Sequence, residues 1–509
     1  MLQVRWSAPS GIGVRCADDY LVETVQQSEE KRRGIAAAGA GQFSEAIASL
    51  TRCVRSGQVD AEVRNALGIA LRAVGRLDEA IAQFRAGLTF GEDAALLTNL
   101  GIALQEQGDH AGALTILDRA LAIDATAAEL WHARGNTLTR LERLPDALLS
   151  YQSAVARNSN LAAAHLGIYE VAQLLGQIPL ALAHQAAALA ISRVVSVPAQ
   201  QHPPKRTILR LCAPGTWQTN APTEFIVDPR STTVHSYYLA TAGPTPSLPA
   251  YDVVYNAIAE GEDVLVFLQR ADEFVRAQLR PVLNAPERVI RMTRTWGATT
   301  FGAIPAVIAP TTARVTRAEL AQVNLPFPWI VRPLASHAGH GLERVDDAAG
   351  VTAYLTRNPE PAFYVGKFVD YASADGYYRK YRVIFIAGIP YAYHLAISRK
   401  WMIHYYNAEM AEQQWMRDEE GRFLADLSSV FDGPRMDALH AIAAAVDIDY
   451  FGIDCGIAPD GRVLVFEADA AMLVHCNDPI EVYPYKHEYI PRVIAAFDAL
   501  VGAKIAGAR

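Results

Sequence analysis

What most constrains this chain of 509 residues is a repeat in its first 200 residues or so. A glycine, a second glycine seven residues later and an alanine five beyond that recur as Gly34/Gly41/Ala46, Gly68/Gly75/Ala80 and Gly101/Gly108/Ala113. A fourth unit keeps Gly135 and Ala147 with Glu142 between them; a fifth keeps Gly176 and Ala181 but has Tyr169 in place of the first glycine. The alanines lie 34, 33, 34 and 34 residues apart. Leu50, Phe84, Leu117 and Tyr151 follow the first four alanines by four residues, and Gln185 follows the fifth. A period of this length selects stacked helical pairs, each unable to bury its apolar face alone. Small residues let the two helices of a pair approach closely, and the large residue fills the gap to the next pair. Five pairs over residues 29–195 then share one core and leave a concave groove. The groove is expected to dock a peptide or protein; a spacer or dimerisation arm is the plainer use of the same architecture. Residues 1–28 have no clear period and read as a lead-in.

The balance of 51% hydrophobic and 20% charged residues is that of a globular chain. A net charge of −8 gives no support to nucleic acid held on a basic surface. Cys16, Cys53, Cys212, Cys455 and Cys476 are too scattered for a metal or redox motif, so free thiols in a reducing compartment are expected. No stretch has the length and apolarity of a membrane span, and the first residues lack an apolar signal core. A soluble, cytoplasmic protein is the expectation.

The prolines of SVPAQQHPPKR, residues 196–206, read as a linker. Beyond it, TILRLCA, EFIVD, STTVHSYYLA, YDVVYNAIA and DVLVFLQ are short β-branched runs. With the helical ADEFVRAQLRPVL and the basic helical RVIRMTRTW, they predict a small α/β unit over residues 207–300, followed by a further domain over 301–509.

Three motifs there could carry chemistry. PWIVRPLASHAGHGLERV ends a strand on Arg332 and continues into a loop with Ser336, Gly339 and Gly341. Such a loop lets backbone N–H groups reach phosphate oxygens. His337 and His340 have zinc-ligand spacing but no third ligand nearby. Residues 362–398 read as a strand, a loop and a hairpin turning at Ala387-Gly388-Ile389-Pro390. Alternation puts Lys380 and Arg382 on one face and Arg379 on the other, an anion site or a solvated strand end. Lys400, His404 and Asn407 just beyond either line a pocket or sit in a surface loop. The third motif is an acidic hairpin, Phe451 to Ile457 and Arg462 to Asp469, around Ala458-Pro459-Asp460-Gly461. Its expected register sets Asp454 opposite Val465, so that Asp454, Glu467 and Asp469 share a face. Three convergent carboxylates are either solvated acids or a site for Mg²⁺ carrying a nucleotide phosphate.

The repeat resembles the tetratricopeptide repeat. The downstream order of an α/β unit, an Arg-ended strand with a glycine loop, a hinge strand, a basic hairpin and an acidic hairpin resembles the ATP-grasp superfamily of carboxylate–amine ligases, over roughly residues 207–500. VLVFEAD is similar to that family's last metal-binding strand, with Asp469 where Asn is usual; Arg332 stands where Lys is usual, and Tyr381-Arg382-Val383 where many members have Asp-Arg-Val. The two resemblances imply a multi-domain chain: an all-α helical-hairpin solenoid followed by an α+β ATP-grasp-type domain. They imply ATP between two subdomains, with adenine at the hinge Lys367-Phe368-Val369 and Ser336, Gly339, His340 and Gly341 over the phosphates. Asp454, Glu467 and Asp469 would hold Mg²⁺. Arg294, Arg332 and Arg382 would steady the transferring phosphoryl group, and Arg379 and Lys380 would receive the substrate carboxylate. The implied reaction joins a carboxylate to an amine through an acyl phosphate, with the repeats recruiting a peptide or protein. A nucleotide-binding scaffold without turnover and a phosphotransferase are the alternatives.

Overall fold

The computed structural model describes residues 29–57, 59–201, 203–334, 339, 341–403 and 408–507, and divides into two units between Ile191 and Ser192. The lead-in 1–28 lies outside the described residues.

The first unit is five helical pairs: α1 (29–39) with α2 (Phe43–Arg55), α3 (Ala61–Ala73) with α4 (Leu77–Gly87), α5 (Ala94–Gln107) with α6 (His110–Ile123), α7 (Ala128–Arg140) with α8 (Leu144–Arg157), and α9 (Ala162–Leu174) with α10 (Ile178–Ile191). Asp60, Asp93 and Asp109 cap α3, α5 and α6, each accepting a backbone N–H three residues on. The repeating alanines are fully buried, and so are Leu50, Phe84 and Leu117. The first glycine of each of the first four units is a contact point: a Cβ at Gly68 would lie 2.4 Å from the Phe84 ring, and one at Gly101 2.7 Å from Leu117. Tyr151 is clasped from both sides, by Gly135 and by Gly167. Gly167 belongs to the next pair, so Tyr151 is received by its own pair and by its neighbour. The second glycine works differently. Gly41, Gly75, Gly108 and Gly176 all have positive φ at the turn between paired helices, and Glu142 is forced to φ 57 at the same place.

The second unit opens with β1 (Val194–Val197), β2 (Arg206–Cys212), β3 (Thr232–Tyr238), β4 (Val253–Asn256), α11 (Leu265–Arg276) and β5 (Val282–Leu283). Their sheet runs β1-β3-β2-β4-β5 and is parallel except at its β1 edge. The expected linker is therefore partly structural: its first residues belong to β1, because Val194, Val195 and Val197 pair with β3. EFIVD is not a strand but a single 3₁₀ turn, Thr223–Phe225. DVLVFLQ enters α11, whose apolar face, with Leu268 and Ala271 buried, continues through the run read as β. The basic segment is two short helices, α12 (Pro286–Val289) and α13 (Arg294–Gly302), separated where Thr293 caps the second.

Next come β6 (Val307–Ile308), β7 (Thr312–Thr316), α14 (Arg317–Leu320), β8 (Trp329–Pro333), β9 (Glu343–Val345), α15 (Ala348–Arg357) and β10 (Ala362–Lys367). Strands β7-β10-β8-β9 make an antiparallel sheet whose own core includes Trp329, Val331, Tyr354 and Phe363. The rest is β11 (Tyr378–Ile386), β12 (Ile389–Ser398), α16 (Gln414–Ala425), α17 (Pro434–Val446), β13 (Tyr450–Ile457), β14 (Val463–Asp469) and α18 (Pro484–Gly507). Here the sheet is β12-β11-β13-β14-β6, and it shares one core with the first sheet. The β11–β12 turn is tighter than expected. Ile386 already pairs with Ile389, so Ala387 and Gly388 alone turn the chain, both with positive φ.

Candidate active site

The acidic hairpin forms, in a different register. Ile457 pairs with Val463, so the turn is one residue longer than expected, and a bulge between Asp454 and Cys455 shifts the ladder once more. Side chains alternate with period two, so two one-residue shifts cancel. Asp454 faces Glu467 instead of Val465, Asp469 faces Gly452, and the three carboxylates still share a face.

They do not share a role. Asp454 is completely buried. The Lys380 ammonium lies 2.6 Å from its Oδ2, and Arg382 forks onto both oxygens, Nε to Oδ1 at 2.7 Å and Nη2 to Oδ2 at 3.0 Å. A buried carboxylate needs such pairing. Burial alone would raise its pKa, but Arg382 and Lys380 hold it well below the usual range. Glu467 accepts Arg294 Nη2 at 3.1 Å. Burial opposes its ionisation too, and Arg294 in the first place keeps it ionised. Asp469 accepts the Ala471 N–H at 2.6 Å, and burial pushes its pKa up to about 6.

A cavity of about 1100 Å³ is lined by the second and third sheets together with residues 260–268 and α13. The hinge residues Lys367, Phe368 and Val369 reach it, as do Gly339, Arg294, Arg332, Lys380, Arg382, Asp454 and Glu467. Phe368 is fixed by its N–H to the Pro328 carbonyl at 2.9 Å and packs edge-on to Trp401. Arg332 is buried at the end of β8, and burial, with Arg294 close by, lowers its pKa to about 10. Gly339 and Gly341 have positive φ, and a Cβ at Gly341 would lie 2.7 Å from Pro333. Ser336, His337, His340, His404 and Asn407 lie outside the described residues.

Arg379 is not among the cavity's cations. It turns to the other face of β11, where Glu419 (2.5 and 3.0 Å) and Asp375 (2.8 and 3.1 Å) hold it. Its expected contact with a substrate carboxylate is withdrawn on this geometry.

The cavity also gathers side chains that the sequence reading passed over. Glu260 lies four residues past the end of β4, and its Oε2 accepts the Ala470 N–H at 2.9 Å. Burial, and then the charge of Asp469, raises its pKa well above the usual carboxylate range. An acid beyond the carboxyl end of a parallel strand was the available signal. His394, His475, Asp478 and Lys486 come from β12 and from the chain around the start of α18. Nothing in their spacing announces them, because tertiary packing alone brings them together.

Among the described residues, no three His, Cys, Asp or Glu side chains are arranged to hold a metal ion. Of the three carboxylates expected to hold Mg²⁺, Glu467 and Asp454 line the cavity, Asp454 closed by Lys380 and Arg382, while Asp469, two residues beyond Glu467 on β14, is not among the lining residues; Glu467 and Asp469 are the pair left to hold it. Two carboxylates completed by nucleotide oxygens and water are an ordinary Mg²⁺ environment.

Residues 31–95 and 94–123 match family models of the tetratricopeptide repeat. The first unit carries tetratricopeptide repeats. No curated protein matches the chain. Among solved structures, "MamA MSR-1 C2" is 23% identical over 33% of this chain and 97% of that one, with a TM-score of 0.29. "MamA RS-1 ArsTM double mutant" is 19% identical over 33% and 94%, with a TM-score of 0.31. Neither score bears on the fold. The tetratricopeptide repeat is a protein-interaction architecture, and the mixed α/β second unit follows it. Among the described residues no helix is long and apolar enough to cross a membrane.

Proposed function

We propose that the second unit is an ATP-grasp-type ligase that joins a carboxylate to an amine at the expense of ATP, and that the repeat array recruits its peptide or protein substrate or partner. One observation carries the reading. Groups drawn from α13, β8, β10, β11, β13 and β14 converge on one cavity, with a row of cations beside two acids and an aromatic hinge. ATP fits this by its parts. Phe368 and Trp401, packed edge to face, offer adenine an apolar aromatic corner, and Arg332 and Arg294 would meet the polyphosphate. Mg²⁺ held by Glu467 and Asp469 would neutralise phosphate charge. Arg382, fixed by Asp454, would steady the phosphoryl group as it passes to the substrate carboxylate, and Lys380 beside it would orient that carboxylate. The protein's task is positioning and charge stabilisation.

The closure of Asp454 by Lys380 and Arg382 is the observation that favours a second reading, a nucleotide-binding scaffold without turnover. Purified protein with Mg²⁺-ATP and a pool of amino acids and small metabolites separates the readings. A ligase releases ADP and phosphate and yields a condensed product. A phosphotransferase yields ADP and a product heavier by one phosphate. Nucleotide binding without ADP release leaves the scaffold.

A further inference from the structure

Among the described residues two histidines line the cavity, and they are held in opposite ways. His394 is tied through Nδ1 to Oε1 of Glu420, a fully buried residue of α16, at 2.7 Å, and its Nε2 is buried. His475 is half-buried and lies between β14 and α18. Its main chain is pinned by Tyr393 of β12: the His475 N–H donates to the Tyr393 hydroxyl at 2.9 Å, and that hydroxyl donates to the His475 carbonyl at 3.3 Å. Its ring packs edge-on to Phe225, with centroids 6.0 Å apart. The Asn477 N–H donates to its Nδ1 at 3.3 Å. A main-chain N–H can only donate, so Nδ1 must carry the lone pair, and the neutral ring has its proton on Nε2. Among the described residues no hydrogen bond reaches Nε2, and unlike that of His394 it is not closed off by burial. The charged groups acting on the ring are Asp478, Lys486 and Arg382. Burial, helped by the two cations, outweighs Asp478 and keeps the imidazole neutral. Such a ring is a donor and not a base, because one nitrogen is protonated and the other is engaged. It suits an oxygen on which negative charge develops.

We propose that the Nε2–H of His475 hydrogen-bonds the acyl oxygen of the reacting carboxyl group and stabilises the oxyanion formed when the amine attacks. The proposal rests on the ligase reading above and adds a catalytic residue to it. As the amine nitrogen attacks the acyl phosphate, the C–N bond forms and the C=O π pair moves onto oxygen, where Nε2–H meets it. The C=O bond then re-forms and the C–O bond to the phosphoryl group breaks. Phosphate leaves with the electron pair and takes the proton shed by nitrogen, while His475 keeps its own proton throughout. The acyl oxygen is neutral in the acyl phosphate and anionic after attack, so this bond strengthens in the transition state.

Two measurements on the full-length chain test this. In histidine-labelled protein, nitrogen NMR should find the His475 ring, identified by the signals lost in His475→Gln, neutral at pH 7 with its proton on Nε2. A ring protonated on Nδ1, or cationic at pH 7, overturns the proposal. The second measurement supplies Mg²⁺-ATP and the same amino-acid and metabolite pool, with and without hydroxylamine as a second nucleophile. His475→Leu, with its unfolding midpoint checked against wild type, should lose amide and hydroxamate together by about 100-fold or more, because both attacks form the same oxyanion. His475→Gln should retain most of both products, because its amide still donates from nearly the same place. Equal losses in the two variants overturn the oxyanion role, since a donor alone would then not suffice. A loss that a more concentrated pool restores overturns it too, since it marks a ground-state anchor. If wild type releases no ADP in either arm, the ligase reading itself fails and the oxyanion role with it, while the NMR result still stands for the ring.

Discussion

At the scale of single residues, the site separates carboxylates by their surroundings. Asp454 is locked to two cations, Glu467 shares one arginine, and Asp469 accepts a backbone N–H. Glu467 is thus the acid best placed to exchange a protein partner for a cation. Glu467→Gln keeps volume and removes charge. It is expected to cut Mg²⁺-ATP turnover at least about 100-fold while leaving the unfolding midpoint nearly unchanged. Undiminished ADP release would take Glu467 out of the site. Glu142 offers a test of the backbone. Its φ of 57 sits where the other four repeats use glycine. Glu142→Gly should stabilise the array by about 0.5–1 kcal/mol, read as a higher denaturation midpoint. A lower midpoint would mean that its side chain contributes more than its backbone costs.

Among the elements, the helical pairs were the most legible in sequence, because one position in each pair is set by a single contact. The Gly68 site leaves no room for a methyl group against Phe84. Gly68→Ala is expected to cost about 1–3 kcal/mol. Adding Phe84→Leu should recover part of that in urea denaturation; no recovery would place the strain elsewhere. The strands were less legible. DVLVFLQ has a strand's composition but joins α11, because its neighbours complete an apolar helix face and β-propensity yields to tertiary context. The acidic hairpin kept its face only because turn and bulge erred by one residue each. His394 and Glu420 were invisible for a different reason. Each becomes chemical only through partners at least 25 residues away, such as Leu395 for Glu420.

For the whole molecule, the two units build their cores from separate sets of residues, 37–181 in the repeats and 208–501 in the second unit. Each should therefore unfold in its own transition, and pH can identify which is which. In the array, His184 lies with its Nδ1 2.9 Å from that of His165, and burial, then the neighbouring imidazole, lowers its pKa. His132 is lowered by burial as well. A histidine whose folded pKa is depressed contributes stability that is complete above its unfolded pKa, about 6.5, and is lost as pH falls below it. Calorimetry between pH 7.5 and about 5.5 should therefore show the array's transition moving down. His394 and His475, depressed by burial in the second unit, should move the other transition in the same direction. His184→Gln discriminates between them. It should flatten the pH dependence of one transition and leave the other's slope unchanged, and Gly68→Ala should lower that same first transition. A single transition that shifts as a whole in both variants would mean that the repeats and the second unit unfold as one body, and that stability in the array is coupled to that of the second unit.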